Sequence, residues 1–338
     1  MKNGLLVYSD KYEYFNIGDY IQSLAAKQFF EKIDVFICRE NMHNYADEKV
    51  KLILNGWFMH EPENWPPSSS INPLFVSFHI NSVAKDKLTN KESILYLKRY
   101  SPIGCRDINT VKMLKNYGVE AYFTGCLTLT LGRKYKIKTI DETIYFVDPY
   151  FKFCKTMSSL VNYLKILIVN YRVINKLAIN MYGTICFKSL LKSSAFYKCY
   201  KKIFSDDVLT TAKYVKQELK NSDFDGDKAK FDLAEKLLQQ YSSAKYIVTS
   251  RIHCALPCLG LGTPVLYVEN QQQAETSFCR LNGLRELFHV IKCDNSELSF
   301  EKLNGKITSD FSFNNKPEYK VLAEDLIKIC TNFADRSL

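Results

Sequence analysis

Short apolar runs alternate with longer amphipathic stretches along most of the chain. Residues 5–8 form one compact apolar run, and the stretch that follows places Ile17, Ile21 and Leu24 near one helical face. Strands separated by helices in this way are typical of βαβ units and of a parallel sheet. The pattern therefore predicts an α/β fold. The further predicted strands are residues 35–38, 52–55, 74–79, 103–105, 121–124, 144–147, 246–249, 265–268 and 290–293.

One interruption divides this alternation, which stops after residue 148 and resumes at Asp206. Helices are predicted beyond it over residues 212–219, 231–241 and 319–333. We therefore predict a Rossmann-like domain over residues 1–140, a second one over residues 141–315 with an insertion at 150–205, and a closing helix over residues 316–338. We expect the two halves to face a cleft, with ligands beyond the carboxyl ends of the strands.

The charge of the chain is concentrated in the insertion. The composition is that of a folded globular protein, with 46% hydrophobic and 24% charged residues among 338, and the formal net charge is +10. From Pro149 to Ser205 the chain has no Asp or Glu and carries ten Lys and Arg residues, which equals the whole excess. So local an imbalance predicts one cationic surface.

Aliphatic and aromatic residues accompany these charges, which is typical of a basic amphipathic segment at an anionic membrane surface. A helical hairpin that buries its aliphatic residues and leaves its lysines in solvent is the structural alternative. Nucleic-acid binding is disfavoured, because so many aliphatic residues are unusual on a phosphate-facing surface. The predicted lipid-interface anchors are Tyr163, Tyr171, Tyr182, Phe187, Phe196, Tyr197 and Tyr200.

The cysteine pattern and the N-terminal residues indicate the cellular compartment. The eleven cysteines are odd in number and include no matched CxxC pairs, so free thiols are expected and a metal site is not. The first residues lack the apolar region of a signal peptide, and no apolar run approaches the ~20 residues that span a bilayer. These features predict a cytoplasmic protein, peripheral at the inner face of the membrane.

Two motifs in the first half are candidate substrate-binding sites. Asn16, Gly18 and Asp19 lie at the start of the first long helix, where a glycine permits close approach and unpaired N–H groups face a ligand. Simple capping by Asn16 is the structural alternative. Gly56 and Trp57 follow a predicted strand, where a backbone amide and an aromatic ring suit a sugar. A strand-ending turn explains them equally well.

Two further motifs combine cationic and titratable side chains at predicted strand ends. Two interpretations of Arg106, which precedes Asp107, stay open: its guanidinium binds an anion through two hydrogen bonds, or it forms a structural ion pair. Asp107 is then the helix cap or the local partner of Arg106. Ser250, Arg251 and His253 lie between a strand and an apolar helix. An arginine beside a histidine at such a junction favours anion binding with proton transfer over a purely structural histidine.

The order of these motifs resembles the polysaccharide pyruvyl transferase family. The similar features are residues 16–19, residues 104–107, and residues 250–253 with Gly262-Thr263-Pro264 downstream. They extend across most of the chain apart from the insertion. The resemblance implies a GT-B-like fold of two Rossmann-like domains facing a cleft, with the first domain on the acceptor side and the second on the donor side.

Members of that family transfer the enolpyruvyl group of phosphoenolpyruvate to a sugar and form a pyruvate ketal across two hydroxyls. The resemblance implies that Arg106 and Arg251 bind the donor's phosphate and carboxylate, and that His253 protonates its methylene carbon. Asp19 or Asp107 would orient or deprotonate the sugar hydroxyl. No cofactor is expected, since phosphoenolpyruvate is a substrate. The expected acceptor is a polyprenyl-diphosphate-linked or other glycan of capsule or other surface-polysaccharide biosynthesis.

Two other functions stay open on the sequence alone. A GT-B-type glycosyltransferase that uses a nucleotide sugar would have the same two-domain cleft, with a carboxylate such as Glu269 on the ribose. A membrane-associated glycan-binding protein without catalytic activity would need neither Arg251 nor His253 for sugar binding.

Overall fold

The computed structural model describes residues 1–137, 139–272, 279–295, 297–301 and 305–336. Two six-stranded sheets and a two-stranded ribbon account for the strands in these residues. The strands are β1 (Lys2–Val7), β2 (Tyr14–Asn16), β3 (Val35–Cys38), β4 (Val50–Phe58), β5 (Ile71–Ile80), β6 (Ile103–Cys105), β7 (Ala121–Phe123), β8 (Ile144–Val147), β9 (Lys213–Val215), β10 (Glu218–Lys220), β11 (Tyr246–Thr249), β12 (Val265–Asn270), β13 (His289–Asp294) and β14 (Glu297–Ser299).

Helices connect most of these strands. They are α1 (Ile17–Lys27), α2 (Lys85–Leu88), α3 (Lys91–Arg99), α4 (Ile108–Asn116), α5 (Gly132–Tyr135), α6 (Met157–Val169), α7 (Tyr171–Tyr182), α8 (Phe187–Tyr200), α9 (Asp206–Thr211), α10 (Gly226–Ser243), α11 (Ile252–Leu261) and α12 (Tyr319–Asp335). In the described part of the chain, no helix combines the length and apolarity needed to cross a bilayer.

Both sheets are built from parallel strands, as the alternating pattern predicted. The first has the order β3-β1-β4-β5-β6-β7, and all of its neighbours are parallel. The second has the order β14-β13-β12-β11-β8-β9, in which β14 alone pairs antiparallel. The prediction of an α/β fold with parallel sheets is therefore confirmed, and the sheets are compatible with Rossmann-like domains. The carboxyl ends of parallel strands gather at one edge of each sheet, where ligands bind.

One element was predicted wrongly, since residues 212–219 are not helical. They form β9 and the start of β10, and β10 pairs antiparallel with β2 to make the ribbon. The backbone N–H of Gln217 donates to Oδ2 of Asp148 at 3.0 Å, and its carbonyl accepts from the N–H of Ile17 at 2.9 Å. These distant partners hold the segment extended and override its local helical pattern.

The helices α1, α10 and α11 lie in a shared apolar core between the two sheets. Ile21 and Leu24 of α1, Leu238 of α10 and Leu256 of α11 are all fully buried in one cluster. The closing helix α12 returns to the first half, because Nζ of Lys51 donates to the carbonyl of Ala334 at 2.8 Å. Strand ends from both sheets are thereby held against the same central helices.

The insertion folds as the helices α6, α7 and α8, and much of it is core. Phe196 and Tyr200 pack against Phe146 of β8, at ring-centroid distances of 6.1 and 5.9 Å. The prediction of seven lipid-interface anchors is therefore wrong for Phe196, Tyr197 and Tyr200, which are buried because they cover the second sheet. It is also wrong for Tyr163, which is buried against Leu191 and Ala195 within the insertion. Tyr171 and Phe187 are exposed.

Candidate active site

The site forms where strand ends of the two sheets meet. Arg106 follows β6 of the first sheet, and His253 lies in the first turn of α11, just beyond β11 of the second sheet. Nη1 of Arg106 lies 3.4 Å from Nε2 of His253. Two of the motifs predicted from the sequence, about 150 residues apart, are therefore in direct contact.

Nitrogen donors surround the ring of His253. Its Nε2 lies 3.1 Å from the amide nitrogen of Gln22 as well as near Arg106, and its Nδ1 lies 3.4 Å from the amide nitrogen of Asn16. The nearest carboxylate oxygen, Oδ1 of Asp19, is 3.8 Å from Nδ1. A protonated imidazole has no lone pair to accept from these donors. This environment therefore favours the neutral ring.

The pKa of His253 is lowered, in agreement with this geometry. Burial lowers the pKa of His253 well below its ordinary value, and the positive charges of Arg106, Arg280 and Arg251 lower it further. The imidazole is therefore neutral at neutral pH. A negative charge bound among these arginines would oppose their effect and raise the pKa again.

Arg106 is a buried cation without a carboxylate partner. Its side chain is among the largest fully buried ones, at 1% exposure. Among the described residues, no carboxylate oxygen lies within 4.0 Å of its guanidinium, and its Nε has no hydrogen-bond partner. Burial lowers the pKa of Arg106, although a guanidinium keeps its proton at any ordinary pH. An unpaired buried charge costs several kcal/mol. An anion beside Arg106 would remove that cost.

A third arginine, Arg280, affects the pKa of the same two side chains. It was not predicted from the sequence. It lies in the single turn Cys279–Leu281, and the next residue, Asn282, accepts the backbone N–H of Ile108 at the start of α4. Its charge lowers the pKa of both His253 and Arg106, so it contributes to the same electrostatic field. Its buried Nε has no partner among the described residues. The Nε groups of Arg106 and Arg280 are thus both without a hydrogen-bond partner among the described residues.

Asp107, the residue after Arg106, has a structural role. It caps α4, since Oδ1 accepts the N–H of Thr110 at 2.8 Å, and Oδ2 lies 2.6 Å from Nδ1 of His79. Burial opposes its ionisation, yet the hydrogen bond and charge of His79 hold the pKa of Asp107 below its ordinary value. The predicted cap is confirmed. Because Asp107 is fully buried with both oxygens engaged, Asp19 is the predicted carboxylate that is open to a ligand.

Arg251 is held in place by a residue that no motif indicated. Its Nε donates to Oδ2 of Asp148 at 3.0 Å, and the hydroxyl of Ser250 donates to the carbonyl of the same residue. Asp148 directly follows β8 and has a φ of 41°. Arg251 is the N-cap of α11 but makes no side-chain cap, so the N–H groups of Ile252 and His253, which have no partner among the described residues, remain available to an anion.

The first motif packs against His253. Oδ1 of Asn16 accepts the N–H of Gly18 at 2.9 Å, which confirms Asn16 as the cap of α1. A Cβ on Gly18 would lie 2.3 Å from Cβ of His253, so only glycine allows this approach. Burial raises the pKa of Asp19, and the charges of Arg39 and Arg106 partly offset that effect. The motif therefore sets the position of His253 and presents one carboxylate.

The second motif lies farther from His253. Gly56 has a φ of 98° at a β-bulge in β4, where a Cβ would lie 2.2 Å from Oε1 of Gln22. The carbonyl of Trp57 accepts from Nη1 of Arg39 at 3.0 Å, and its ring lies under that guanidinium. Gly56 therefore lets Gln22 reach His253, while Trp57 supports Arg39. Their predicted contact with substrate remains a prediction.

The strand ends thus form an α/β site that combines unpaired arginine N–H groups, a helix N-terminus and a neutral histidine, an arrangement suited to an anionic ligand. The family model described as polysaccharide pyruvyl transferase matches residues 16–272, about three quarters of the chain, and spans all ten predicted site residues. The chain belongs to the polysaccharide pyruvyl transferase family, as its motifs predicted. Comparisons with curated proteins and with solved structures found no match.

Proposed function

We propose that this pyruvyl transferase moves the enolpyruvyl group of phosphoenolpyruvate onto a sugar and forms a pyruvate ketal. The observation that carries the proposal is the buried, unpaired guanidinium of Arg106 in contact with His253. Phosphoenolpyruvate has a phosphate and a carboxylate, so it supplies the negative charge that Arg106 and Arg280 lack among the described residues, and a second anionic group for Arg251, which Asp148 already pairs. Bidentate arginine contacts suit both groups.

The reaction needs one proton at carbon and one on the leaving group. The oxygen of the first acceptor hydroxyl bonds to C2 of the donor while C3 takes up a proton and becomes a methyl group. The oxygen of the second hydroxyl then bonds to C2 as the bond from C2 to the phosphate oxygen breaks. The two hydroxyls release two protons, of which one is now in the methyl group and the other leaves with inorganic phosphate.

His253 is the group that we assign to the proton at C3. Its ring is neutral in the free protein, because burial and the nearby arginines lower its pKa. The charge of the bound donor offsets the arginines and allows the ring to accept a proton, which it then donates to C3. Asp19, 3.8 Å from Nδ1, is the carboxylate that would orient or deprotonate the acceptor hydroxyl. We assign Asp107 the indirect role of holding His79 beside Arg106.

The two sheets support the GT-B-like arrangement that the family resemblance implies. Residues 1–140 hold the first sheet and residues 141–315 the second, so we propose the first as the acceptor domain and the second as the donor domain, with residues 316–338 closing over the first. The site residues Arg106 and His253 come from opposite sides of this division. A cleft between the domains would admit the acceptor to both.

The acceptor that we propose is a lipid-linked glycan, reached from an anionic membrane surface at the cytoplasmic face. The support is a set of large apolar side chains on the insertion, named here the lipid face, that are exposed and near Lys165, Arg172 and Lys188 in the sequence. Lysines and arginines around exposed apolar groups are suited to anionic headgroups. The lipid face consists of Met157, Val161, Ile168, Val169, Tyr171 and Phe187. Capsule or another surface polysaccharide would be the product.

The nucleotide-sugar alternative has less support. Its ribose carboxylate would be Glu269, but this side chain is buried and binds Arg285 bidentately, with Nε–Oε1 and Nη2–Oε2 distances of 2.7 and 2.9 Å. A carboxylate already paired in this way has little hydrogen-bonding capacity left for a ribose hydroxyl.

Thermal unfolding with added ligands tests the donor. A ligand at 100 times its Kd stabilises the folded state by about 2.7 kcal/mol. We expect phosphoenolpyruvate to raise the unfolding temperature, and expect pyruvate, UDP-glucose and GDP-mannose to have no effect. Inorganic phosphate alone should give a smaller shift, since it occupies one of the two anionic positions. A shift with a nucleotide sugar and none with phosphoenolpyruvate would make the protein a glycosyltransferase.

A further inference from the structure

A small polar cavity lies next to the site and shares Asp19 with it. Its volume is about 200 Å³, and its wall includes three tyrosines from the loop after β1 and from β2. Asn16 and Asp19 belong to the wall and also contact His253. Asn16 and Asp19 therefore connect the cavity to the histidine. The three tyrosines are Tyr8, Tyr12 and Tyr14.

A rigid arginine forms part of the cavity wall. Arg39 is 3% exposed, its Nε donates to Glu40 at 2.8 Å, and its guanidinium lies against the rings of Tyr8 and Trp57 at 4.8 and 5.1 Å. Nε and Nη1 have partners, so Nη2 is the nitrogen that remains available in the described part of the chain. The carboxylate of Glu40 also accepts the N–H groups of His60 and Glu61, which fixes the neighbouring loop.

The charge of the cavity disfavours an anionic ligand. Its wall contains the carboxylates of Asp19, Glu40 and Glu218 against the one guanidinium of Arg39. Negative groups are thus in excess here, whereas arginines dominate at His253. The volume is also below the range of about 300–1,000 Å³ of pockets for drug-sized ligands, so it suits a single ring. A neutral ligand rich in hydroxyls fits these carboxylates and aromatic faces.

We propose that this cavity binds one neutral sugar ring of the acceptor and presents its hydroxyls to Asp19 and His253. The rings of Tyr12 and Tyr14 cover the apolar face of the sugar, and Arg39 and Glu218 bind its outer hydroxyls. Glu218 also lies 4.0 Å from Arg251, so the cavity opens toward the donor. This assignment rests on the proposed function and specifies its acceptor as an uncharged pyranose.

The test is saturation-transfer NMR with methyl glycopyranosides of galactose, glucose and mannose, with phosphoenolpyruvate present. Wild type should bind at least one of them, and Tyr14→Ala should weaken that binding roughly five- to tenfold through loss of the aromatic contact. Ser9→Phe, which fills the cavity, should abolish it. Tyr117→Ala is the matched control, because Tyr117 and Tyr14 are 44% and 46% exposed. Glucuronic acid should not bind.

Phosphoenolpyruvate binding is measured on the same samples by thermal unfolding. If wild type binds a glycoside but not phosphoenolpyruvate, the proposed donor is wrong and the sugar cavity stands. If no glycoside binds wild type, or if Tyr14→Ala and Ser9→Phe bind it as wild type does, the sugar cavity is overturned and the donor assignment is untouched.

Discussion

Nη1 of Arg106 lies 3.4 Å from Nε2 of His253, and this contact joins the strand ends of the two sheets. A guanidinium has only donors, so the contact requires a lone pair on Nε2. Protonating the ring at that nitrogen replaces an attraction with a repulsion between two cations. A bound anion is what makes the two side chains compatible when both are charged. An anion bound at this contact would therefore favour the protonation of His253.

We predict that Arg106→Met removes donor binding without destabilising the free protein. Replacing a buried charge that has no partner with an apolar side chain is neutral or favourable for folding. The unfolding temperature of the free variant should equal or exceed that of wild type, while stabilisation by phosphoenolpyruvate should disappear. Both are read from one thermal unfolding experiment with and without the donor.

Arg39→Met is the matched control for Arg106→Met. Arg39 is equally buried but is paired with Glu40, so its loss leaves a carboxylate buried without its cation. We expect this variant to lose about 3–5 kcal/mol of folding stability. Equal destabilisation by the two substitutions would mean that Arg106 has a compensating partner in the free protein.

The pH dependence of stability should reveal the neutral His253. Because its folded-state pKa lies well below the ordinary value of 6.5, the unfolded chain takes up the proton first. Stability is therefore complete above about pH 6.5 and falls below it, by at most ~1.4 kcal/mol per pH unit for one group. His79 has a lowered pKa as well and adds to the slope. Denaturant unfolding of His253→Gln should show a shallower loss than wild type between about pH 6.5 and 5.

Donor binding should take up protons for the same reason. The charge of phosphoenolpyruvate raises the pKa of His253, so part of the population becomes protonated on binding near pH 6. Calorimetric titrations in buffers with different ionisation enthalpies measure this uptake. Wild type should take up a fraction of a proton more than His253→Gln. Identical uptake by the two proteins would assign the proton to another group.

Much of the site was predictable because strand ends and helix caps leave local signals. β6 and β11 begin and end at the predicted residues 103–105 and 246–249, and Asn16 and Asp107 are the predicted caps. An apolar run followed by a polar turn fixes such boundaries without distant contacts. The motifs were placed correctly on the fold for this reason.

The missed residues depend on contacts that the local pattern does not encode. Gln22 looks like any polar position on α1, and Arg280 lies in a single turn without a motif, yet both bear on His253. Asp148 could have been found, because it follows β8 as Arg106 follows β6. The helix predicted over residues 212–219 was wrong because the strands with which this segment pairs, β2 and β8, are distant in the sequence.

Gly18→Ala should disturb His253 directly. The added Cβ would lie 2.3 Å from Cβ of His253 and 2.8 Å from its Nδ1, so α1 or the histidine must move. Overpacking of this kind costs about 1–3 kcal/mol. We expect that loss in denaturant unfolding, together with at least tenfold weaker binding of phosphoenolpyruvate.

Gly183→Ala separates this effect from the general cost of losing a glycine. Gly183 ends α7 with a φ of 69°, and a Cβ added there would meet no atom within 4 Å. Its substitution should cost about 1 kcal/mol through backbone strain and leave donor binding unchanged. Normal donor binding by Gly18→Ala would show that the position of His253 tolerates the displacement.

The lipid face predicts that the protein binds anionic membranes, but deletion of the whole insertion cannot test this. Removing residues 155–204 would strip Phe196 and Tyr200 from the core of the second sheet, so the rest of the fold should not survive this deletion. Point substitutions avoid the problem. Ile168 and Val169 are 76% and 81% exposed, and the double change Ile168→Asp, Val169→Asp should leave folding intact. Binding to phosphatidylglycerol vesicles in a flotation assay should fall at least tenfold, because two charges enter the apolar contact.

Val83→Asp is the control for a new exposed carboxylate, since Val83 is 80% exposed and lies in the first half of the chain. It adds one negative charge outside the lipid face and should leave flotation unchanged. Wild type should bind phosphatidylcholine vesicles much more weakly, and added salt should reduce binding to the anionic ones, because the flanking lysines and arginines act through charge. If the double variant floats with the vesicles as wild type does, the exposed residues of α6 do not contact the membrane. The acceptor must then reach Asp19 and His253 from solution.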